Sequence, residues 1–596
     1  MDATPPLEVP VRPWHAHYPP GVSAHLPPLP DASVGDLVTR TSAQYGNATA
    51  FTACLPNGMH GRLTYAEVDR LSDAFAAYLR EDLRLGAGDR VAVQMPNCLA
   101  YPVVVFGILK AGCVLVNTNP LYTAPEMRRQ FADAEISAVV GIDLFADRLA
   151  AALAGDPPGA GSPHVVLVRI TEFFPRYVAA IVRLVQRVWS RVLPPVTVAH
   201  TRLPETLRLG SDALRRGSDV GSYRAGLGPE TLAALQYTGG TTGVSKGAEL
   251  THGNLLANCE QMIQMAGAHI RPGQECVLTA LPLYHVFAFT VNLLGFYRAG
   301  AHNVLVPSPR PLSNLKRPLE HYPVTWLSGV NTLFHGLVRE QWFLDHPPPH
   351  LRASVAGGMS LHAAVARQWE EVTGCPVVEG YGLTEASPVL CFNPFGGARP
   401  GSIGIPMPST DVACFDDGGS AVPPGEAGEL CARGPQVMRG YWRRPQETAA
   451  VMRDGWLRTG DVAVADSDGY FRIVDRKKDL ILVSGFNVYP NEVEECLAEH
   501  PGIDEAAVVG DPVSAGGERV RAVVVRTDPE LTAEQVRAWA AERLTAYKVP
   551  RVVEFAEDLP KSPIGKILRK ELRHDQSPPQ DLAPAGPVAT SAEAAP

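Results

Sequence analysis

No Cys-x-x-C pair occurs among the ten cysteines of this chain, so the spacing used by zinc ribbons and thioredoxin-like redox motifs is excluded. Nothing suggests a disulfide framework either, and a reducing, cytoplasmic compartment is the expectation. No run reaches the ~18 uncharged apolar residues that a membrane span needs. The N-terminus, Met1 to Pro6, lacks the basic and apolar regions of a secretory signal. A basic excess is missing as well: a net charge of −9 over 596 residues argues against a nucleic-acid partner. Nothing repeats at a fixed period, which excludes a solenoid.

What is present describes a folded globular protein, with 45% hydrophobic and 19% charged residues. A chain of 596 residues is too long for one core, so at least two domains are expected. The first thirty residues are proline-rich and expected to be extended, and 575–596, rich in Pro, Ala and Ser, is expected to be a disordered tail. Short apolar runs at 90–95, 114–117 and 138–142 alternate with helical stretches such as 103–108 and 125–131. A Gly/Pro loop at 155–163 closes that unit, and the same rhythm is expected to resume from Thr231 through 276–280, 302–306, 324–328 and 351–356. From Val412 to Val474 short strands and glycine-rich turns predict a β-barrel-like subdomain. After Asp479 comes a separate α+β unit of about 95 residues. The expected fold class is therefore α/β, with two α/β subdomains and the barrel-like one at 31–475 and a small mobile domain at 476–574.

Between the two α/β halves, 175–192 reads as one basic amphipathic helix. Arg176, Arg183, Arg187 and Arg191 share a stripe, while Ile181, Leu184, Val185, Val188 and Val192 cover another side, with Tyr177 and Trp189 near the ends. No acidic residue lies between Glu172 and Glu205. Such a segment fits an anionic membrane surface. It equally fits a surface helix with its apolar side packed inward and its arginines solvated, and both stay open on the sequence.

The densest chemistry is the run Tyr237, Thr238, Gly239, Gly240, Thr241, Thr242 and Gly243, closed by Ser245 and Lys246. Small hydroxyls, close glycines and a lysine suit a loop that wraps N–H groups around polyphosphate. It is not the common nucleotide-triphosphatase loop, because Gly247 and Ala248 follow the lysine where that pattern has Ser or Thr. Taken alone, it could also be a flexible surface turn. Further on come Tyr381-Gly-Leu-Thr384-Glu385, Thr459-Gly460-Asp461, Asp475-Arg476-Lys477-Lys478-Asp479, and a lysine, Lys566, in Ser562-Pro-Ile-Gly-Lys566.

In this order and spacing the motifs resemble the adenylate-forming superfamily of acyl-CoA synthetases, luciferases and adenylation domains. The segments 281–289, 329–334 and 483–492 are most similar to the bacterial long-chain fatty-acid–CoA ligase branch. The resemblance runs from about Asp36 to Leu572. It implies an ATP-dependent ligase that activates a medium- to long-chain fatty acid as acyl-AMP and passes it to coenzyme A. The alternative is an acyl-AMP ligase that loads a carrier protein. Implied cofactors and co-substrates are ATP, Mg²⁺ and coenzyme A; a homodimer and peripheral attachment to the inner face of the membrane through 175–192 belong to the same expectation.

Roles follow by resemblance, residue by residue. Thr238 to Gly243 and Lys246 hold the β- and γ-phosphates; Gly358, Gly380 and Tyr381 bind the nucleotide, with Tyr381 stacked on adenine. Thr384 touches the α-phosphate, Glu385 holds Mg²⁺ with Thr238, and Asp461 and Arg476 serve the ribose. His285 sits beside the acyl carboxylate, Lys566 bridges carboxylate and α-phosphate, and Lys478 is the hinge. Phe289, Val330 and Phe334 are the implied acyl-tunnel residues. Each has a plainer alternative: core packing for Tyr381, His285 and the tunnel residues, and turn or surface charges for Asp461, Arg476 and Lys566. Two positions depart from the family pattern. Phe289 stands where some relatives carry tryptophan, which removes an indole donor. Ser245 stands where relatives often carry proline, so loop stiffness is in question.

Overall fold

The computed structural model describes residues 12–154, 162–238, 245–483, 486–513, 518–562 and 565–573. Contacts divide them into two compact units. The larger takes Met1–Lys477 with Lys561–Lys566, and the smaller takes Lys478–Pro560 with Ile567–Pro596.

Three sheets organise the larger unit. A seven-stranded sheet runs in the order Thr201–Arg202, His164–Val168, Ile136–Ile142, Arg90–Gln94, Val114–Thr118, Leu232–Thr238 and Lys246–Thr251. All its neighbours are parallel except the last pair. A nine-stranded sheet runs Ile405–Pro406, Val389–Phe392, Val377–Gly382, Ala353–Ala356, Trp326–Gly329, Cys276–Thr279, His302–Leu305, Thr49–Cys54 and His60–Thr64. Its six central strands are parallel and its edges are antiparallel. Central strands such as Val114–Thr118 are buried along their whole length, which is why they read as continuous Val/Leu runs without alternation. Asp411–Phe415, Ala427–Arg433, Met452–Arg453, Trp456–Ala465 and Phe471–Arg476 form a five-stranded antiparallel sheet.

Chain order and sheet membership differ from the expected succession of halves. The first strand, Thr49–Cys54, pairs with His302–Leu305 and so joins the sheet built from the second half. Leu232–Thr238 and Lys246–Thr251, expected to begin the second unit, complete the first sheet instead. An apolar run announces a strand but carries no label for its partner, so burial on both faces decided pairings that periodicity left open.

Between the sheets, Ala100–Lys110 is a helix buried on every side. Lys110 closes its last turn with no exposed side chain and meets Asp69 at 2.5 Å and Asp73 at 2.7 Å, both on the neighbouring helix Tyr65–Ala77. A buried ammonium needs this pairing, since an isolated one would be strongly penalised.

The segment expected as one helix over 175–192 is helical over Arg176–Leu184 and continues as a wider turn over Val185–Trp189. It stops short of Val192 because Arg191 adopts a left-handed φ of 50°. Val178 is buried and Ala179 and Val182 pack beside it, whereas Ile181, Leu184, Val185, Val188 and Val192 face outward. The alternative in which those five residues pack inward is therefore overturned: the core-facing side of the helix is already filled by Val178 and Val182, one turn apart.

In the smaller unit, Ile503–Pro512, Glu518–Arg526 and Val552–Phe555 form a three-stranded sheet, and Pro490–Ala498 and Ala533–Ala541 are its main helices. A hairpin of Ile481–Val483 and Phe486–Val488 precedes them.

Candidate functional site

Four adjacent strands of the nine-stranded sheet end at the same edge. Tyr381 lies at the end of Val377–Gly382, Gly358 follows Ala353–Ala356, Val330 follows Trp326–Gly329, and His285 lies beyond Cys276–Thr279. Carboxyl ends of parallel strands are where open α/β sheets receive ligands. Gly380 pairs with Phe392 across the neighbouring antiparallel strand. Gly382 allows the sharp exit from this strand: a Cβ there would lie 2.0 Å from the Pro388 carbonyl oxygen. The chain then enters the short turn Thr384–Ala386, which carries Thr384 and Glu385.

The antiparallel sheet contributes the next group. Its cross-strand pair Asp461 and Arg476 is joined at 3.1 Å between Arg476 Nε and Asp461 Oδ1. Tyr381 donates its hydroxyl to the other Asp461 oxygen, and the Asp461 N–H donates to Thr459 Oγ1 at 3.1 Å. Burial first, and next the charge of Asp461, push the Tyr381 phenol far above its ordinary range, so it remains a donor. Three residues that the sequence separates by up to 95 positions thus form one polar cluster with a ring, a carboxylate and a guanidinium.

Glu385 leads to a residue that the motifs did not single out. Tyr441 donates to Glu385 Oε1 at 2.7 Å, and the ring of Tyr441 lies under Lys246, whose Nζ is 5.2 Å from its centroid. Tyr441 is fixed by its own N–H, which donates to Thr448 Oγ1 at 2.9 Å, and by pairing with Ala248. Burial and the neighbouring Glu385 charge keep this phenol protonated too. One tyrosine therefore touches both the carboxylate and the cation of the site. Only its position after Gly440, before Trp442, marked it in the sequence, and that pair carries no chemistry by itself.

Thr238 and Lys246 are cross-strand partners at the mouth of the glycine-rich loop. Gly239, Gly240, Thr241, Thr242 and Gly243 lie outside the described residues. The hydroxyl of Ser245 donates to the Thr238 carbonyl at 2.6 Å, joining the described residues on either side of that run. Tyr237, just before, donates to Asp133 at 2.7 Å, and Arg444 meets the same carboxylate at 2.8 Å.

His285 is half-buried, and the Phe287 N–H points at its Nδ1 at 3.4 Å. Burial first, then the charge of Lys566, lower its pKa to about 4, so the ring is neutral at pH 7. With Nδ1 accepting, Nε2 carries the proton and is left as a donor. Lys566 lies in the Lys561–Lys566 segment that groups with the larger unit. Its neighbour Gly565 has a φ of 85°, and the Gly565 carbonyl accepts from Thr332 Oγ1 at 3.3 Å. A Cβ at Gly565 would come within 2.5 Å of that hydroxyl. Ser562 and Lys566 close the turn through a 2.7 Å backbone bond. Lys478 is the first residue of the smaller unit.

The three tunnel residues differ in setting. Val330 is buried beside Gly358, with its methyl 3.8 Å from where a Cβ would stand. Phe289 and Phe334 are fully buried, and Phe334 packs edge-on against Trp369 with ring centres 4.8 Å apart. All three belong to the continuous core of the larger unit.

Among the described residues no group of three or more His, Cys, Asp or Glu side chains could hold a metal. The donor set around Glu385 instead suits a hard cation that takes most of its oxygens from a bound polyphosphate.

The chain is similar to known proteins over most of its length. Residues 38–442 match the AMP-binding enzyme family, and residues 492–566 match the AMP-binding enzyme C-terminal domain. The chain is 45% identical to a long-chain-fatty-acid–CoA ligase of Escherichia coli O6:H1, over 94% of this chain and 98% of that protein. It is 44% identical to the enzyme of the same description from Salmonella typhimurium, with the same coverage. Its fold is similar to the crystal structure of the anthranilate CoA ligase AuaEII in complex with anthranoyl-AMP, with a TM-score of 0.79 at 25% identity, over 92% of this chain and 97% of the other.

Proposed function

The chain belongs to the AMP-binding enzyme family, and from that premise we propose that it is an ATP-dependent fatty-acid–CoA ligase acting on medium- to long-chain acids. The observation that carries this is the joined cluster of Tyr381, Asp461 and Arg476 beside the Tyr441-linked pair Glu385 and Lys246. It offers a planar ring, a ribose acceptor and a phosphate cation in one place.

The reaction has two steps. A carboxylate oxygen attacks the α-phosphorus of ATP, the bond from that phosphorus to the bridging oxygen breaks, and pyrophosphate leaves. The thiol sulfur of coenzyme A then attacks the acyl carbon, its proton is lost, and AMP leaves with the C–O electron pair. Lys246 and the loop from Thr238 to Gly243 cradle the leaving pyrophosphate, and Thr384 donates to the α-phosphate. Asp461 accepts from the ribose hydroxyls while Arg476 fixes its orientation. His285, neutral and donating through Nε2, orients the acyl carboxylate without cancelling its nucleophilicity. Lys566 offsets the charge that gathers between carboxylate and phosphate. Glu385 would hold Mg²⁺ together with nucleotide oxygens, and that ion would supply further charge neutralisation on the phosphates. Val330, beside Gly358, lines the acyl entrance, and Lys478 serves as the hinge that withdraws Lys566 before the thiol arrives.

The test is a product balance with a panel of straight-chain acids. Acid-dependent AMP and pyrophosphate, with acyl-CoA formed only when coenzyme A is present, is the expected result. ADP with phosphate, or AMP release that coenzyme A never converts to thioester, would overturn it.

A further inference from the structure

Asp133 belongs to none of the motifs and lies in the last turn of the helix Ala124–Ala134. A carboxylate at that end meets the negative pole of the helix dipole, so the position is unfavourable unless cations and donors gather round it. They do gather, from distant parts of the chain. Tyr237 donates to Asp133 Oδ2 at 2.7 Å and Arg444 Nη2 donates to Oδ1 at 2.8 Å, across 104 and 311 positions. Each carboxylate oxygen thus has its own partner. Trp442 adds a third contact, its Nε1 donating to the Asp133 carbonyl at 3.1 Å. Burial first, and then the bond to Asp133, push the Tyr237 phenol far above its ordinary range, so it remains a donor.

The two arms that leave Asp133 meet again beside Lys246. On the first arm the Tyr237 ring covers Gly247, where a Cβ would stand 3.1 Å from ring carbon Cζ. A glycine after the lysine is what lets the ring lie so close. The second arm returns through Trp442, whose N–H donates to the Gly247 carbonyl at 2.8 Å. Next to it Tyr441 touches both Lys246 and Glu385. The turn on this arm is strained, because Arg443 holds a left-handed φ of 53°. It persists because it is pinned from outside: Arg443 pairs with Glu135, while Trp442 and Arg444 hold Asp133. One helix end therefore fixes the residues on both sides of the site's lysine.

We propose that Asp133 is a positioning residue for ATP: through Tyr237 and Arg444 it sets where Lys246 stands, and so governs the grip on the β- and γ-phosphates. The adenosine end of the nucleotide is left to Tyr381, Asp461 and Arg476, which Asp133 does not touch. The inference rests on the reading of this site as an ATP site and adds to it a residue that meets no part of the nucleotide.

The test is calorimetry of the full chain with MgATP and, separately, with AMP, in the absence of fatty acid and coenzyme A. Asp133→Ala is expected to weaken MgATP binding about tenfold and to leave AMP binding within about twofold. Tyr237→Phe and Arg444→Gln each remove one arm, and each should weaken MgATP about three- to fivefold with the same indifference to AMP. Asp133→Asn keeps an acceptor for Tyr237 but turns amide donors toward Arg444, so its affinity should fall between wild type and Asp133→Ala. Adding Arg444→Gln to Asp133→Ala should bring no further loss, because both act through one contact. A merely structural role would weaken ATP and AMP alike. That result, or MgATP affinity unchanged in these variants, would overturn the proposal, and the single-arm variants carry the same contrast if Asp133→Ala does not fold. With neither acid nor thiol present, a ligase reading that failed in its product balance would leave this contrast readable, so the two failures are told apart.

Discussion

At the scale of single residues, the site depends on side chains that hold other side chains. Tyr441 has no motif of its own, yet its hydroxyl fixes Glu385 and its ring lies against Lys246. Removing one hydrogen bond to a carboxylate costs about 1.5–3 kcal/mol. Tyr441→Phe should therefore weaken MgATP binding about tenfold or more by calorimetry, with a similar loss in kcat/KM. Its melting temperature should fall by a few degrees at most, because the same bond is present in the folded protein without nucleotide; unaltered nucleotide affinity would make the contact merely structural. His302 shows the opposite case, a titratable group with a purely internal role. Its Nε2 meets Thr52 Oγ1 at 2.8 Å, and burial, with a smaller push from Arg62, lowers its pKa from 6.5 to about 4. The unfolded chain takes up this proton near pH 6.5, whereas the folded protein resists until about pH 4. Stability is thus retained above pH 6.5 and falls as the pH drops toward 4. His302→Gln should give a shallower decline of the urea midpoint across that window, and parallel curves for the two proteins would contradict it.

Elements show what a chain can and cannot announce about itself. The strand ends carrying Tyr381, His285 and Val330 were legible, because each lies within a local motif that follows an apolar run. The separate α+β unit after Asp479 was legible too, but its first hairpin, Ile481–Val483 with Phe486–Val488, was not. Partner choice was not legible: Thr49–Cys54 looks like any buried strand, and only the distant His302–Leu305 decides its place. The outward face of 176–192 was hidden for a similar reason. A helix with apolar residues on two sides does not say which side its core will cover, and Val178 with Val182 took the smaller one. At the glycine-rich loop, Ser245 turns a departure from the family pattern into a fastening, through its 2.6 Å bond to the Thr238 carbonyl. Ser245→Ala should raise KM for ATP about fivefold, the weight of one neutral hydrogen bond. Unchanged ATP kinetics would show that the hairpin alone sets the mouth of the loop.

For the whole molecule, the decisive residue is Lys566, which groups with the larger unit although the chain on both sides of its segment belongs to the smaller one. Lys566→Ala should abolish acid-dependent AMP formation while largely sparing thioester formation from supplied acyl-adenylate. Equal loss of both half-reactions would contradict a lysine that serves only the first. The nine-stranded sheet has a consequence for how the protein comes into being. Its strand Thr49–Cys54 can pair early with His60–Thr64, but its other edge waits for His302–Leu305, about 250 residues later, and the far edge of the sheet waits for Ile405–Pro406. Ribosomes add roughly 5–20 residues per second, so a sticky hairpin near the N-terminus stays unpartnered for many seconds on every nascent chain. Fragments cut between the two sheets should accordingly aggregate, and the newborn protein should lean on chaperones that shield apolar strands until translation is well past its midpoint.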